Sequence, residues 1–311
     1  MQVDQSFIDA LEVKLSSPRL DAYRTYFACK NDAEVIGVYQ WNKAIATAFF
    51  PLLQATEVTL RNSIHNAAKS KYSGNSEWFR MNRFPKAKKK SEQLYKKRDG
   101  SWITPPPTAD MVVSQLTFGF WVNMLTGNYD DPVHNNKLWP SLIPVAFPNA
   151  HGSQATRAYL HRRFNFIKDF RNRIGHYEPL WKIKDTIDGG GNILRYGPRT
   201  PEESISRLQE YIDLILEALK WMSHERYDFL VGIGLEEHVR EVCSLDALKH
   251  YQGIENNPFS INKLKTELLS KVKNNEAISG FYELKTAPKG LLKGETIFLD
   301  IKHLRPPKYL P

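Results

Sequence analysis

The sequence predicts a mainly helical protein that ends in a small α/β or irregular C-terminal extension. Three observations carry this. Apolar residues recur at three- and four-residue steps through most of residues 17–226, and helix-start signals stand just before several of these runs. Strand-like alternation is confined to the residues beyond 280.

Taken in order, Pro18 after Ser17 suits the first position of a helix, which Leu20, Tyr23, Tyr26 and Phe27 continue. A longer helix is expected from Asn31 or Asp32. It carries Val35, Ile36, Tyr39, Ile45, Phe49, Leu53, Val58, Leu60, Ile64 and Ala68 on one stripe, with Pro51 as a kink, and stops near Ser73, Gly74 and Asn75. Pro105, Pro106 and Pro107 make a stiff break. Thr108 then caps a helix expected to reach about Thr126, with Val112, Gln115, Leu116, Phe120 and Met124 facing the core and Gly119 marking a close helix–helix approach. Residues 128–152 hold four prolines and read as loop. Ser153 opens a helix through Tyr159, Leu160, Phe164, Ile167 and Phe170, and Gly189, Gly190 and Gly191 mark a flexible connection. Thr200, Pro201, Glu202 and Glu203 form a capping box that starts a helix to about Met222. Helices are expected over 235–250 and 262–273, and strands over 281–284 and 297–301. A boundary near 226–234 would divide a helical domain, 1–226, from the extension, 227–311.

With 41% hydrophobic residues, 14 Tyr, 16 Phe and 7 Trp, the chain has ample material for a packed core, which excludes global disorder. A net charge of +9 favours anionic partners. No run of 18 apolar residues and no signal-peptide pattern stand in the sequence, so a membrane is not the expected partner and nucleic acid is. Cys29 and Cys243 are too few and too far apart for a disulfide scaffold or metal spacing, and fit reduced thiols in a cytoplasmic protein. Glycine-rich phosphate loops, dinucleotide fingerprints, nucleophile elbows and zinc spacings are missing from the sequence, and neither a metal nor a cofactor is expected.

Chemistry concentrates in the run Phe170, Arg171, Asn172, Arg173, Ile174, Gly175, His176, Tyr177, Glu178 and Pro179. His176 suits proton transfer near neutral pH. Arg171 offers a permanently charged fork to a phosphate oxygen, and Asn172 shares a helical face with His176. Gly175 is expected to end the helix and let His176 turn toward Arg171. One Arg and one His supply part of what RNA cleavage by the 2′-hydroxyl needs, so a symmetric dimer completing the set is attractive. The structural alternative pairs Arg171 and His176 with acids such as Asp169 and Glu178. Glu57, Arg61 and His65 follow at four-residue steps, with Asn62 beside them, and read either as a structural ion pair or as a second wall of the same cleft. Residues 80–98 hold nine basic side chains, Arg80, Arg83, Lys86, Lys88, Lys89, Lys90, Lys96, Lys97 and Arg98, against one acid, Glu92. Phe79, Phe84, Tyr95 and Trp102 interleave. This is a solvated surface or an RNA-binding patch with rings for stacking.

Three blocks together resemble the Abi-like (abortive infection) protein family of bacteria, within the broader HEPN superfamily. They are residues 15–20 (LSSPRL) with Tyr23 and 38–42 (VYQWN), residues 57–62 (EVTLRN), and the run 170–179 (FRNRIGHYEP), with 118–121 (FGFW) fitting a middle helix. The resemblance spans roughly residues 15–222. It implies a HEPN-like helical bundle, usually dimeric, and a metal-independent endoribonuclease that stops phage infection through an Arg-x4–6-His motif, onto which Arg171 and His176 fall, with Asn172 as its common polar follower. Gly175 and Tyr177 stand where Ala and His are usual. Members that only bind RNA or partners make a non-catalytic RNA-binding protein the alternative.

Overall fold

The computed structural model describes residues 5–187, 192–253, 258–259, 265–266, 269–270, 278–284 and 296–301. Helices dominate them: α1 (Gln5–Leu15), α2 (Ser17–Tyr26), α3 (Asp32–Lys71), α4 (Pro85–Glu92), α5 (Ala109–Gln115), α6 (Phe118–Asn123), α7 (Ile143–Ala146), α8 (Arg157–Gly175), α9 (Pro201–Met222), α10 (His224–Gly232), α11 (Leu235–Val242) and α12 (Leu245–Gln252). Two small sheets accompany them. β1 (Thr186–Ile187) pairs antiparallel with β2 (Ile193–Arg195). In the C-terminal extension β3 (Pro258–Phe259) runs parallel to β4 (Ile278–Leu284), which pairs antiparallel with β5 (Thr296–Ile301) in a register that sets Phe281 opposite Phe298. The mainly helical class and the two predicted C-terminal strands are therefore present. The glycine run at 189–191 and most of the helix expected at 262–273 lie outside the described residues.

The chain gathers into two compact units, one of residues 1–51, 177–213 and 228–311, the other of 52–176 and 214–227. The division crosses α3 at Pro51, yet α3 is one helix from Asp32 to Lys71.

In the first unit, Tyr23, Phe27, Trp41 and Trp181 are buried with Leu20 and Leu208. Tyr23 and Phe27 both meet the Trp181 ring edge-on, at centroid distances of 5.3 and 5.1 Å, a favoured aromatic geometry. The Trp41 indole N–H donates to the Val242 carbonyl at 2.8 Å, so the buried polar end of the ring is satisfied. Close approach of helices happens at Gly37, where an added Cβ would lie 1.8 Å from the Tyr251 carbonyl oxygen. The Thr200 cap at α9 forms, and the reciprocal bond of the box reaches one residue further back. Thr200 Oγ1 accepts from the Glu203 N–H at 3.2 Å, and the Glu203 carboxylate accepts from the Arg199 N–H at 2.7 Å.

The second unit buries Trp78, Phe79, Phe84, Trp121, Trp139, Phe147 and Phe164, each worth about 3–5 kcal/mol against alanine at such sites. Three boundaries differ from expectation. The helix expected from Thr108 to about Thr126 is two helices. Leu116 turns to extended backbone (ψ 126°) and Thr117 becomes a second N-cap whose hydroxyl accepts from the Phe120 N–H. α8 opens at Arg157 under a Thr156 cap rather than at Ser153. In the first unit, the helix expected over 235–250 breaks at Cys243, where Ser244 recaps α12. In each case a hydroxyl satisfies a backbone donor locally, which splits one expected helix into two at Thr117 and at Ser244 and moves the start of α8 to Arg157. Gly119 marks no tight packing either: its nearest neighbours to an added Cβ are Thr117 Oγ1 at 3.8 Å and Lys168 Cδ at 4.0 Å, ordinary contacts.

Candidate functional site

α8 buries Leu160, Phe164, Ile167 and Phe170 at helical steps, and this stripe fixes where its C-terminal polar residues point. Arg171, next to the last buried residue, is exposed, as is His176, while Asn172 is half-buried. Gly175 does not turn the chain. The His176 N–H donates to the Asn172 carbonyl at 2.9 Å, so His176 remains on the helical screw as the C-cap. The left-handed residue is Tyr177, at φ 57°. The expected turn of His176 toward Arg171 at Gly175 is thus corrected: five residues along a helix put them about 140° apart. Two such side chains splay, and neither closes on the other within one helix.

Arg171 has one acidic neighbour among the described residues of its unit, Glu57 of α3, at 3.9 Å, with the guanidinium half exposed. A pair so long and so wet contributes little, leaving the fork available to an anion. The His176 imidazole has no hydrogen-bond or ion-pair partner among the described residues. In the first unit, the segment after the motif is held separately. The Arg19 guanidinium donates to the Tyr177 carbonyl, and the buried Asn42 accepts the Leu180 N–H at 2.7 Å.

The second run of polar residues, on α3, has three different surroundings. Glu57 faces Arg171. Arg61 donates to the Ser114 carbonyl at 3.3 Å, and Asn62 is exposed. His65 is buried, with Nδ1 accepting from the Trp78 indole at 3.2 Å, and burial pushes its pKa below the ordinary imidazole value. His65 is therefore a neutral core acceptor.

The basic stretch separates by element. Arg80 is held by the Glu77 carboxylate and lies 4.3 Å from the Tyr95 ring centroid, and Arg83 donates to the Asn136 carbonyl. Lys86, Lys89 and Lys90 are exposed on α4, while Lys88 bonds Asn82 at 3.0 Å. Lys89 and Lys90 also lie in the last turn of α4, where cations suit the helix dipole. Lys96, Lys97 and Arg98 sit on an exposed hairpin whose Lys96 lies 5.0 Å from the Trp102 centroid. Phe79, Phe84 and Tyr95 are core residues, which corrects their reading as stacking platforms; Trp102, 54% exposed, is the remaining one. Lys137, Asn123 and Asn128 were not singled out in the sequence, yet the fold sets them around Lys86 and Lys90. Their only sequence signal is the four-residue spacing of the two lysines, since their partners arrive from about 40 residues away.

Cys29 and Cys243 are free thiols, and burial raises the pKa of both. Among the described residues no group of three or more His, Cys, Asp or Glu is placed to hold a metal ion, and no helix is long and apolar enough to cross a membrane.

A family model described as Abi-like protein matches residues 14–182, which include α2, α3 and the whole of the 170–179 run. The chain matches no curated protein and no solved structure.

Proposed function

The chain belongs to the Abi-like protein family, and from that premise we propose that it is a metal-independent endoribonuclease of abortive infection acting in the cytoplasm through Arg171 and His176. One observation carries the reading: the end of α8 exposes an imidazole without a partner among the described residues and, five residues before it, a guanidinium only loosely paired with Glu57. In the reaction a base takes the proton of a 2′-hydroxyl and its oxygen attacks the adjacent phosphorus. The bond to the 5′-oxygen breaks, and an acid protonates that leaving oxygen. A 2′,3′-cyclic phosphate and a 5′-hydroxyl result. His176 serves as base or acid, Arg171 holds the crowded phosphate oxygens, and Asn172 orients the imidazole. Because Arg171 and His176 splay on α8, a second copy of the chain completes the set in a symmetric homodimer, as in the HEPN superfamily the sequence resembles.

The test incubates wild type, His176→Ala and Arg171→Ala with total RNA, with and without chelator, and analyses the ends. Cleavage unaffected by chelator and lowered about 10² to 10⁴-fold in His176→Ala is expected; full activity in that variant excludes the assignment. A second reading, RNA binding without cleavage, is favoured by the exposed Lys89, Lys90, Lys96, Lys97 and Arg98 with Trp102 beside them. Under it, wild type binds RNA and leaves it intact.

A further inference from the structure

Two adjoining clefts of about 500 and 390 Å³ open beside α4, and both are lined by Lys86, Asn128 and Tyr129. The first adds Lys90, Thr117, Gly119 and Asn123, the second Arg83 and Lys137. Neither has an Asp or Glu in its lining. Four cations and a set of neutral hydrogen-bonding side chains thus line the groove made by these two clefts, whose common residues Lys86 and Asn128 are joined by a hydrogen bond from Lys86 Nζ to Asn128 Oδ1 at 3.2 Å. Among described pockets this balance is particular: the larger cleft in the first unit includes Asp21 and Asp185 among its lining residues.

Gly119 supplies an independent observation. A glycine in a helix costs up to about 1 kcal/mol relative to alanine, and at Gly119, the second residue of α6, neither backbone nor packing asks for it. Its φ is not left-handed, and an added Cβ would meet nothing closer than 3.8 Å. Gly119 is itself one of the residues lining the first cleft. The same position lies 4.0 Å from Lys168 Cδ on α8. Lys168 precedes Arg171 by three residues, a rise of about 4.5 Å along the helix. α6, which brings Gly119 to the first cleft, packs on α8, the helix that carries Arg171.

We infer that this groove holds the sugar-phosphate backbone of the single-stranded RNA cut at Arg171 and His176, with Lys86 and Lys90 on successive phosphates. The inference rests on the proposed nuclease reading, so binding is measured apart from cleavage, in a His176→Ala background. Lys86→Gln with Lys90→Gln should weaken binding of a labelled single-stranded RNA on the order of tenfold and reduce the salt slope by about 1.4, at about 0.7 per phosphate contact. A Lys14→Gln, Lys30→Gln variant of equal charge should change neither. Gly119→Leu should weaken binding by filling the groove while leaving net charge untouched. Amine labelling of the protein with both lysines intact gives a reading independent of those substitutions: bound RNA should protect Lys86 and Lys90. Unchanged affinity and slope, equal losses in both lysine pairs, or unprotected lysines overturn the proposal, as does a groove filled by ATP or tripolyphosphate with RNA still bound. If RNA binds as described but wild type leaves it intact, the nuclease reading fails and the groove stands.

Discussion

Glu57 on α3 and Arg171 on α8 face each other with 3.9 Å between carboxylate and guanidinium. The arrangement pre-positions the arginine without occupying it. A partly exposed pair of this length is worth less than about 1 kcal/mol, and an incoming phosphate competes with the carboxylate for the same fork. Glu57→Gln should therefore leave the melting temperature nearly unchanged and tighten RNA binding by up to about fivefold, the equivalent of 1 kcal/mol. Binding isotherms in the His176→Ala background check it. Weaker RNA binding in Glu57→Gln would show that the carboxylate holds Arg171 in its productive pose.

His65 gives a prediction of a different kind. Its imidazole is buried, accepts from the Trp78 indole through Nδ1, and has its pKa lowered by burial. The unfolded chain, with an ordinary imidazole, takes up a proton at a higher pH than the folded one. Stability from this group is thus complete above about pH 6.5 and is lost as pH falls below it. His161 and His250 shift in the same direction, also chiefly by burial, and add to the trend. His65→Met should cost about 1–3 kcal/mol at pH 7 by stranding the Trp78 N–H. It should also flatten, without abolishing, the fall in melting temperature between pH 7 and 5.

Much of this was legible in local signals. α3 announces itself through its long stripe, and α9 through Thr200 and Glu203, because periodicity and capping are written within a few residues. The split at Thr117 was not legible, since the same apolar steps fit one helix or two and only the hydroxyl's choice of the Phe120 N–H decides. At the site, Arg171 and His176 stand out by residue type. The Glu57 neighbour of Arg171 and the acid-free groove depend on elements distant in sequence, and Tyr177 in the left-handed region is a residue type that gives no such signal.

The two glycines with opposite surroundings make opposite predictions. At Gly37 an added methyl would sit 1.8 Å from a backbone oxygen of Tyr251, and backbone cannot rotate aside. Gly37→Ala should destabilise the first unit by at least the upper end of the roughly 1–3 kcal/mol typical of overpacking. At Gly119 the nearest atoms are 3.8 and 4.0 Å away, so Gly119→Ala should stabilise by up to about 1 kcal/mol through helix propensity. Denaturant titrations of both variants read these signs directly.

Asn42 is buried in the first unit, and its Oδ1 accepts the Leu180 N–H at 2.7 Å. Leu180 and Trp181 beside it are buried as well, so water cannot replace the missing partner if the amide is removed. Asn42→Ala therefore loses one hydrogen bond and strands a donor, a cost of about 1–3 kcal/mol. The damage should be local before it is global. Arg19 still holds the Tyr177 carbonyl, and Trp181 keeps its stacked contact with Tyr26 at 4.4 Å, whose hydroxyl is anchored on Ser204 and Thr200. Amide exchange should accordingly accelerate most at Leu180, while the amides of α8, which belong to the other unit, keep their protection. Asn42→Asp separates hydrogen bonding from charge: its carboxylate can still accept from Leu180, but burying it uncompensated is costly, so this variant should regain stability as pH is lowered and the acid takes up a proton. Equal exchange at Leu180 in wild type and Asn42→Ala would show that the bond contributes nothing to holding the chain that leaves the motif.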